Sequence, residues 1–156
     1  MSSQSASAVV QAPPETVWAM VADVTRMGEW SPECDGCTWV DGAIGPQVGA
    51  RFKGHNKRGW VSWSTTCTVV ECEPGRVFAF AVGKPEAPDN IWRYSFVPAA
   101  DGTMVTETCE FPKPLSAASK LVTLLTIRVR DREADLKSGI EKTLERLQVA
   151  GRAATL

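Results

Sequence analysis

From Cys37 to Phe111 the chain is cut at short intervals by glycine-bearing turns: Asp41-Gly42, Gly45-Pro46, Gly59, Pro74-Gly75 and Asp101-Gly102. Between these turns lie runs rich in β-branched and aromatic residues. Short apolar runs bounded by turn residues are the pattern of hairpin-connected strands. They predict a meander of six strands, at Cys37 to Val40, Ala50 to Asn56, Trp60 to Glu73, Val77 to Val82, Ile91 to Val97 and Met104 to Phe111. After Pro112 and Pro114 the pattern changes, because Leu115 to Ala150 contains no proline and only one interior glycine, Gly139. Val122, Leu125, Val129, Leu136, Ile140, Leu144 and Leu147 mark one face of a helix there. One gap in the stripe, at Arg132 and Glu133, reads as the place where the helix passes a cavity.

The first third supplies the remaining elements. Ser5 to Gln11 reads as a first strand, and Pro13-Pro14-Glu15 as a helix start, since proline suits the first turn and an early acid suits the positive helix end. Val17, Met20, Val21 and Val24 recur at helical spacing, bordered by Trp18, and the helix ends near Asp23. Thr25 to Trp30 makes a second short helix, stopped by Ser31-Pro32 because a residue before proline is pushed out of the helical region. A chain of 156 residues, 44% of them apolar, is the size of one domain with a sizeable core, ordered from about residue 5 to 150.

Charge and cysteine content remove several function classes. Seventeen basic against eighteen acidic residues create no global field for nucleic acid or an anionic membrane. No apolar stretch reaches the ~20 residues of a membrane span, and Met1 to Ala8 lacks the basic and apolar blocks of a signal peptide. The expected location is cytoplasmic. Five cysteines, an odd count, fit reduced thiols. Cys34 and Cys37 have CxxC spacing, but no second pair and no thioredoxin-like context accompany them, so neither a metal nor a cofactor is expected. His55 is the single histidine and sits among Arg51, Lys53, Lys57 and Arg58, which reads as surface rather than as the base of a nucleophilic site.

Several local motifs, namely Ala12-Pro13-Pro14-Glu15-Thr16-Val17-Trp18, Asp23-Val24, Trp30-Ser31-Pro32, Gly49-Ala50-Arg51-Phe52, Phe78-Ala79-Phe80, Trp92-Arg93-Tyr94 and Asp101-Gly102-Thr103 before Val105-Thr106-Glu107, occur in this order of elements. Together they resemble the polyketide cyclase/dehydrase branch of the START-like (Bet v 1-like, SRPBCC) superfamily over nearly the whole chain. The resemblance implies an α+β helix-grip fold: a seven-stranded curved antiparallel sheet wrapped around a long C-terminal helix, with two short helices between strands 1 and 2. It also implies a cavity between sheet and helix for a lipid-like or aromatic molecule, and, in some relatives, cyclisation or dehydration. Fold is the firmer of the two expectations, because one fold hosts many activities.

Strand side chains alternate between faces, so a concave wall takes every second residue. Charge assigns Arg51, Lys53 and His55 to solvent, and Phe52, Gly54 and Asn56 to the inside. The same rule turns Trp63, Thr65 and Cys67 inward, then Phe78 and Phe80, then Trp92, Tyr94 and Phe96, and finally Val105, Glu107, Cys109 and Phe111. The candidate ligand-binding set is therefore Trp30, Phe52, Asn56, Trp63, Thr65, Phe80, Trp92, Tyr94 and Glu107. Trp30 reads equally as part of a lid and as a pin holding the short helix. Glu107 reads as a desolvated acid/base group, as the partner of an arginine such as Arg128 or Arg132, or as a group that reaches solvent at the sheet end.

Binding of a small hydrophobic molecule is the first functional expectation. A cyclase/dehydratase using Glu107 and Tyr94 as acid/base groups is the second, and a regulatory partner protein with an apolar patch at the cavity mouth is the third. Monomer and homodimer both stay open.

Overall fold

A computed structural model of the chain describes residues 2–113, 116–127 and 131–155. The strands are β1 Ser2–Val10, β2 Cys34–Val40, β3 Arg51–Arg58, β4 Val61–Glu73, β5 Val77–Lys84, β6 Ala87–Ala99 and β7 Gly102–Phe111. They form one antiparallel sheet in the order β1-β7-β6-β5-β4-β3-β2. From β2 to β7 each strand pairs with its successor, and β1 adds to the far edge beside β7. Register shifts at Cys34/Gly36, Val69/Glu71 and Val82/Gly83 are bulges, which bend a strand and increase its twist. The expected meander is present, with most strands running a few residues beyond the expected ends.

Because β1 and β2 lie on opposite edges, the chain between them must cross the width of the sheet. It does so through α1, Pro14–Ala22, and a 3-10 helix, Val24–Glu29. Pro14 opens α1, and Val17, Met20, Val21 and Ala22 are buried beneath it. Asp23 separates the two helices: its Oδ1 accepts from Thr25 N at 3.2 Å and from Thr25 Oγ1 at 2.5 Å, satisfying donors that a helix start leaves free.

The C-terminal region departs from expectation. Instead of one helix from Leu115, the described residues contain α2, Ala117–Ile127, and a separate α3, Arg132–Ala154. Asp131 caps α3 in extended conformation, with Oδ1 accepting from Ala134 N at 3.1 Å. The gap in the apolar stripe at Arg132 and Glu133 is therefore a helix start. Val129 of the expected stripe lies outside the described residues, as does Leu115, whereas Val122 and Leu125 are exposed on α2.

The stripe of α3 is Leu136, Ile140, Thr143, Leu144, Leu147 and Gly151, all buried. It packs on β1 and β7. Gln148 Nε2 donates to Val9 O at 3.0 Å, and Gly151 lies directly against the Val10 side chain, leaving no room for a Cβ. Gly139 is different, since a Cβ there would meet only Pro32 Cγ at an ordinary 3.6 Å. Gly151→Ala is expected to cost about 1–3 kcal/mol through overpacking. Gly139→Ala is expected to stabilise by about 0.5–1 kcal/mol through helix propensity. Thermal melting of the two variants reads the opposite signs directly.

Candidate functional site

The concave face of β3 to β7 and the facing side of α3 enclose a cavity of about 780 Å³. Of the inward set read from alternation, Phe52, Asn56, Trp63, Thr65, Phe80, Trp92, Tyr94 and Glu107 line it, whereas Phe78, Phe96, Val105 and Cys109 are buried without lining it. Phe52 and Phe80 meet edge to face, with ring centroids 5.1 Å apart, and Trp39 packs on Phe52 from the neighbouring strand at 5.6 Å. Such edge contacts brace the rings against one another rather than into the centre. The aromatics form a wall without filling the space it encloses. Exposed Ala87, Asp89, Lys113 and Ser116 stand at its mouth.

Trp30 is not among the wall residues. It is 2% exposed within the core, Arg26 lies over its ring at 5.1 Å, and Arg146 Nη1 donates to its carbonyl at 3.3 Å. Of its two expected readings, this position is that of the pin. The residues that follow, Ser31, Pro32 and Glu33, do reach the cavity. His55 is exposed, with Nδ1 3.1 Å from Ser64 Oγ. Among the described residues no group of three or more His, Cys, Asp or Glu side chains could hold a metal ion.

Register creates the central polar pair. Tyr94 on β6 stands directly opposite Glu107 on β7, and the Tyr94 hydroxyl donates to Glu107 Oε1 at 2.8 Å. Glu107 is 2% exposed, and its Oε2 has no hydrogen-bond partner among the described residues. Burial raises the carboxyl to about 8, although the Tyr94 bond works in the other direction. Burial and the adjacent carboxyl together hold Tyr94 well above the usual phenol value. At neutral pH the site therefore presents a protonated carboxylic acid, one oxygen tied to Tyr94 and the other without a partner among the described residues.

Among the described residues no arginine pairs with this acid. Arg132 instead forks onto Glu33, with Nη1–Oε1 at 2.7 Å and Nη2–Oε2 at 3.0 Å, and also reaches Asp135 Oδ2 at 2.8 Å. Arg128 lies outside the described residues. Arg58 makes a second fork onto Asp135, both distances 2.6 Å. Hydrogen bonding from Arg58 holds Asp135 below the usual carboxylate range. Two cations and two anions thus tie the β2 entry, the end of β3 and the start of α3 into a neutral cluster at the cavity rim. Sequence reading missed this cluster. Its one available signal was parity, since Arg58 continues the inward series Phe52, Gly54, Asn56.

Glu107 also sets a pH dependence. Its folded value is raised from 4.5 to about 8, so its stability contribution is fully present below about 4.5 and is lost as pH rises through about 8. Wild type is expected to lose melting temperature relative to Glu107→Gln across that interval. Parallel melting curves for the two proteins would contradict a neutral Glu107.

Against known proteins, the chain matches the family described as polyketide cyclase / dehydrase and lipid transport over residues 1–150. No curated protein sequence matches it. Among solved structures it is similar to the Polyketide_cyc-like protein Cgl2372 of Corynebacterium glutamicum, at 33% identity and a TM-score of 0.62, covering 94% of this chain and 88% of that one. TTHA0849 of Thermus thermophilus shares the fold at 17% identity and a TM-score of 0.73, covering 99% and 100% of the two chains. Ms6760 of Mycobacterium smegmatis does so at 16% identity and a TM-score of 0.66, covering 97% and 92%. With its seven-stranded sheet, its C-terminal helix and a match along nearly its whole length, the chain belongs to the polyketide cyclase/dehydrase and lipid transport family, within the START-like superfamily.

Proposed function

We propose that this protein binds a small hydrophobic molecule, aromatic or lipid-like and bearing an oxygen acceptor, between its sheet and α3. One observation supports the reading: Glu107 lines a cavity of about 780 Å³ that has aromatic side chains in its wall, and it is buried with its Oε2 unpartnered among the described residues. A buried polar group without a partner costs about 1–3 kcal/mol, which a ligand carbonyl or phenol oxygen accepting from the neutral acid would recover. The volume lies in the range of small-molecule sites, about 300–1,000 Å³, and aromatic side chains on the sheet wall supply the apolar surface such sites use. Asn56 and Thr65 supply further polar contacts at the β3–β4 wall.

A second reading has its own support. An acid with a pKa of about 8 is close to the value that favours proton transfer at neutral pH. Glu107, oriented by Tyr94, would then protonate or deprotonate a bound carbonyl compound, as in cyclisation or dehydration.

Fluorescence quenching of the cavity tryptophans by a hydroxyanthraquinone and by anthracene tests both readings. Wild type should bind both. Glu107→Leu should weaken the oxygenated ligand about tenfold, the equivalent of about 1.4 kcal/mol, and spare the hydrocarbon. Glu107→Gln keeps a donor and should retain binding, and a loss of turnover in that variant alone would favour the enzyme. Failure of wild type to bind either compound, together with no ligand retained in native mass spectrometry, would overturn the reading.

A further inference from the structure

The CxxC segment acquires a geometry in the fold that its spacing does not give. Residues three apart on a regular strand point to opposite faces. In β2, however, Cys34 pairs with Asn56, Gly36 with His55 and Cys37 with Gly54, so Asp35 is an extra, bulged residue. Cys34 and Cys37 therefore stand opposite Asn56 and Gly54, two positions apart on β3, and both side chains turn inward. Their sulfurs are 3.4 Å apart, and both residues line the cavity. Met27 Sδ lies 3.8 Å from Cys37 Sγ on the other side.

We propose that Cys34 and Cys37 form a redox-active dithiol, oxidised to an internal disulfide by the hydroperoxide group of an apolar molecule that enters the cavity. This rests on the ligand-binding reading for the choice of oxidant, and on the β2 bulge for the dithiol itself. From their separation of 3.4 Å the sulfurs need only a short closing movement to reach the ~2.05 Å of a disulfide. The two thiols are also unlike. A hydrogen bond from Cys37 lowers Cys34, while the same bond and burial raise Cys37, so Cys34 ionises first and Cys37 keeps its proton.

The chemistry balances without a further reagent. The Cys34 thiolate attacks the terminal oxygen of the hydroperoxide, the O–O bond breaks, and the departing alkoxide takes the proton released by Cys34 to become an alcohol. Cys34 is left as a sulfenic acid. Cys37 sulfur then attacks Cys34 sulfur, the S–O bond breaks, and hydroxide leaves with the Cys37 proton as water. Two electrons pass from the dithiol to the peroxide, giving one disulfide, one alcohol and one water. Selectivity follows from access: Cys34 and Cys37 are 7% and 6% exposed, and the cavity that reaches them is bounded by Phe52, Phe80 and Trp63. The aromatic part of that wall favours an organic hydroperoxide through burial of its apolar body, a gain hydrogen peroxide does not share.

Trypsin places Cys34 and Cys37 together on the fragment Met27 to Arg51, which holds no other cysteine. Reduced protein is treated with equimolar cumene hydroperoxide or hydrogen peroxide, alkylated at intervals and digested, and apolar-probe binding is measured on the same sample. Cumene hydroperoxide should remove both alkylation sites from that fragment, at least about tenfold faster than hydrogen peroxide, and dithiothreitol should restore them. Cys37→Ser should leave a Cys34 sulfenic acid that dimedone traps, and Cys34→Ser should leave Cys37 reduced. The dithiol is overturned if the probe binds yet the fragment stays fully alkylated, or if the thiols lost are Cys67 and Cys72. A cavity that takes up no probe, with hydrogen peroxide the faster oxidant, would overturn the ligand reading and the apolar oxidant with it.

Discussion

A bent sheet buries its concave face only where something covers it, and α3 covers only part of this one. The helix packs on β1 and β7, with Gly151 seated against Val10 at the closest approach. Apart from Arg58, which reaches Asp135 at the start of α3, the helix packs little on β3 to β6, whose inward side chains include Phe52, Trp63, Phe80 and Trp92. Phe52, Phe80, Trp63 and Trp92 brace one another or stand alone on the wall, and a cavity of about 780 Å³ remains between them and the helix. The site is thus a consequence of where the helix docks. Narrow packing at one edge of the sheet leaves open space at the other.

Charge is handled in two ways within this space. At the rim, Glu33, Arg58, Arg132 and Asp135 pair through forked contacts and cancel. Deep in the wall, Glu107 has no cation partner among the described residues and remains a neutral acid through burial. A charged interior would repel an apolar guest, whereas a neutral acid costs the cavity little and gives it a single directional donor. Tyr94 fixes which oxygen is free.

What the sequence made legible follows from how local each signal is. Strand alternation depends only on backbone geometry, so the inward placement of Phe52, Trp63, Phe80, Trp92, Tyr94 and Glu107 could be read from parity. The Tyr94–Glu107 bond needed the β6–β7 register as well, which the Gly102 turn sets. Parity failed where a bulge intervenes: Cys34 and Cys37 share a face only because Asp35 is looped out. The rim cluster was hidden for another reason, since Glu33 and Arg132 are 99 residues apart. The start of α3 carried no proline or glycine to mark it, only Asp131 as a cap with Glu133 and Asp135 behind it. Trp30, a large aromatic beside a loop, gave the sequence no sign of which side of the core it occupies.

The protonation state of Glu107 in the intact protein tests the account most directly. Infrared difference spectra between wild type and Glu107→Gln isolate the carboxyl stretch of this one side chain. At neutral pH the account predicts the band of a protonated acid, converting to carboxylate as pH rises through about 8 and shifting when an oxygenated aromatic ligand binds. A carboxylate band at neutral pH, unmoved by ligand, would contradict it.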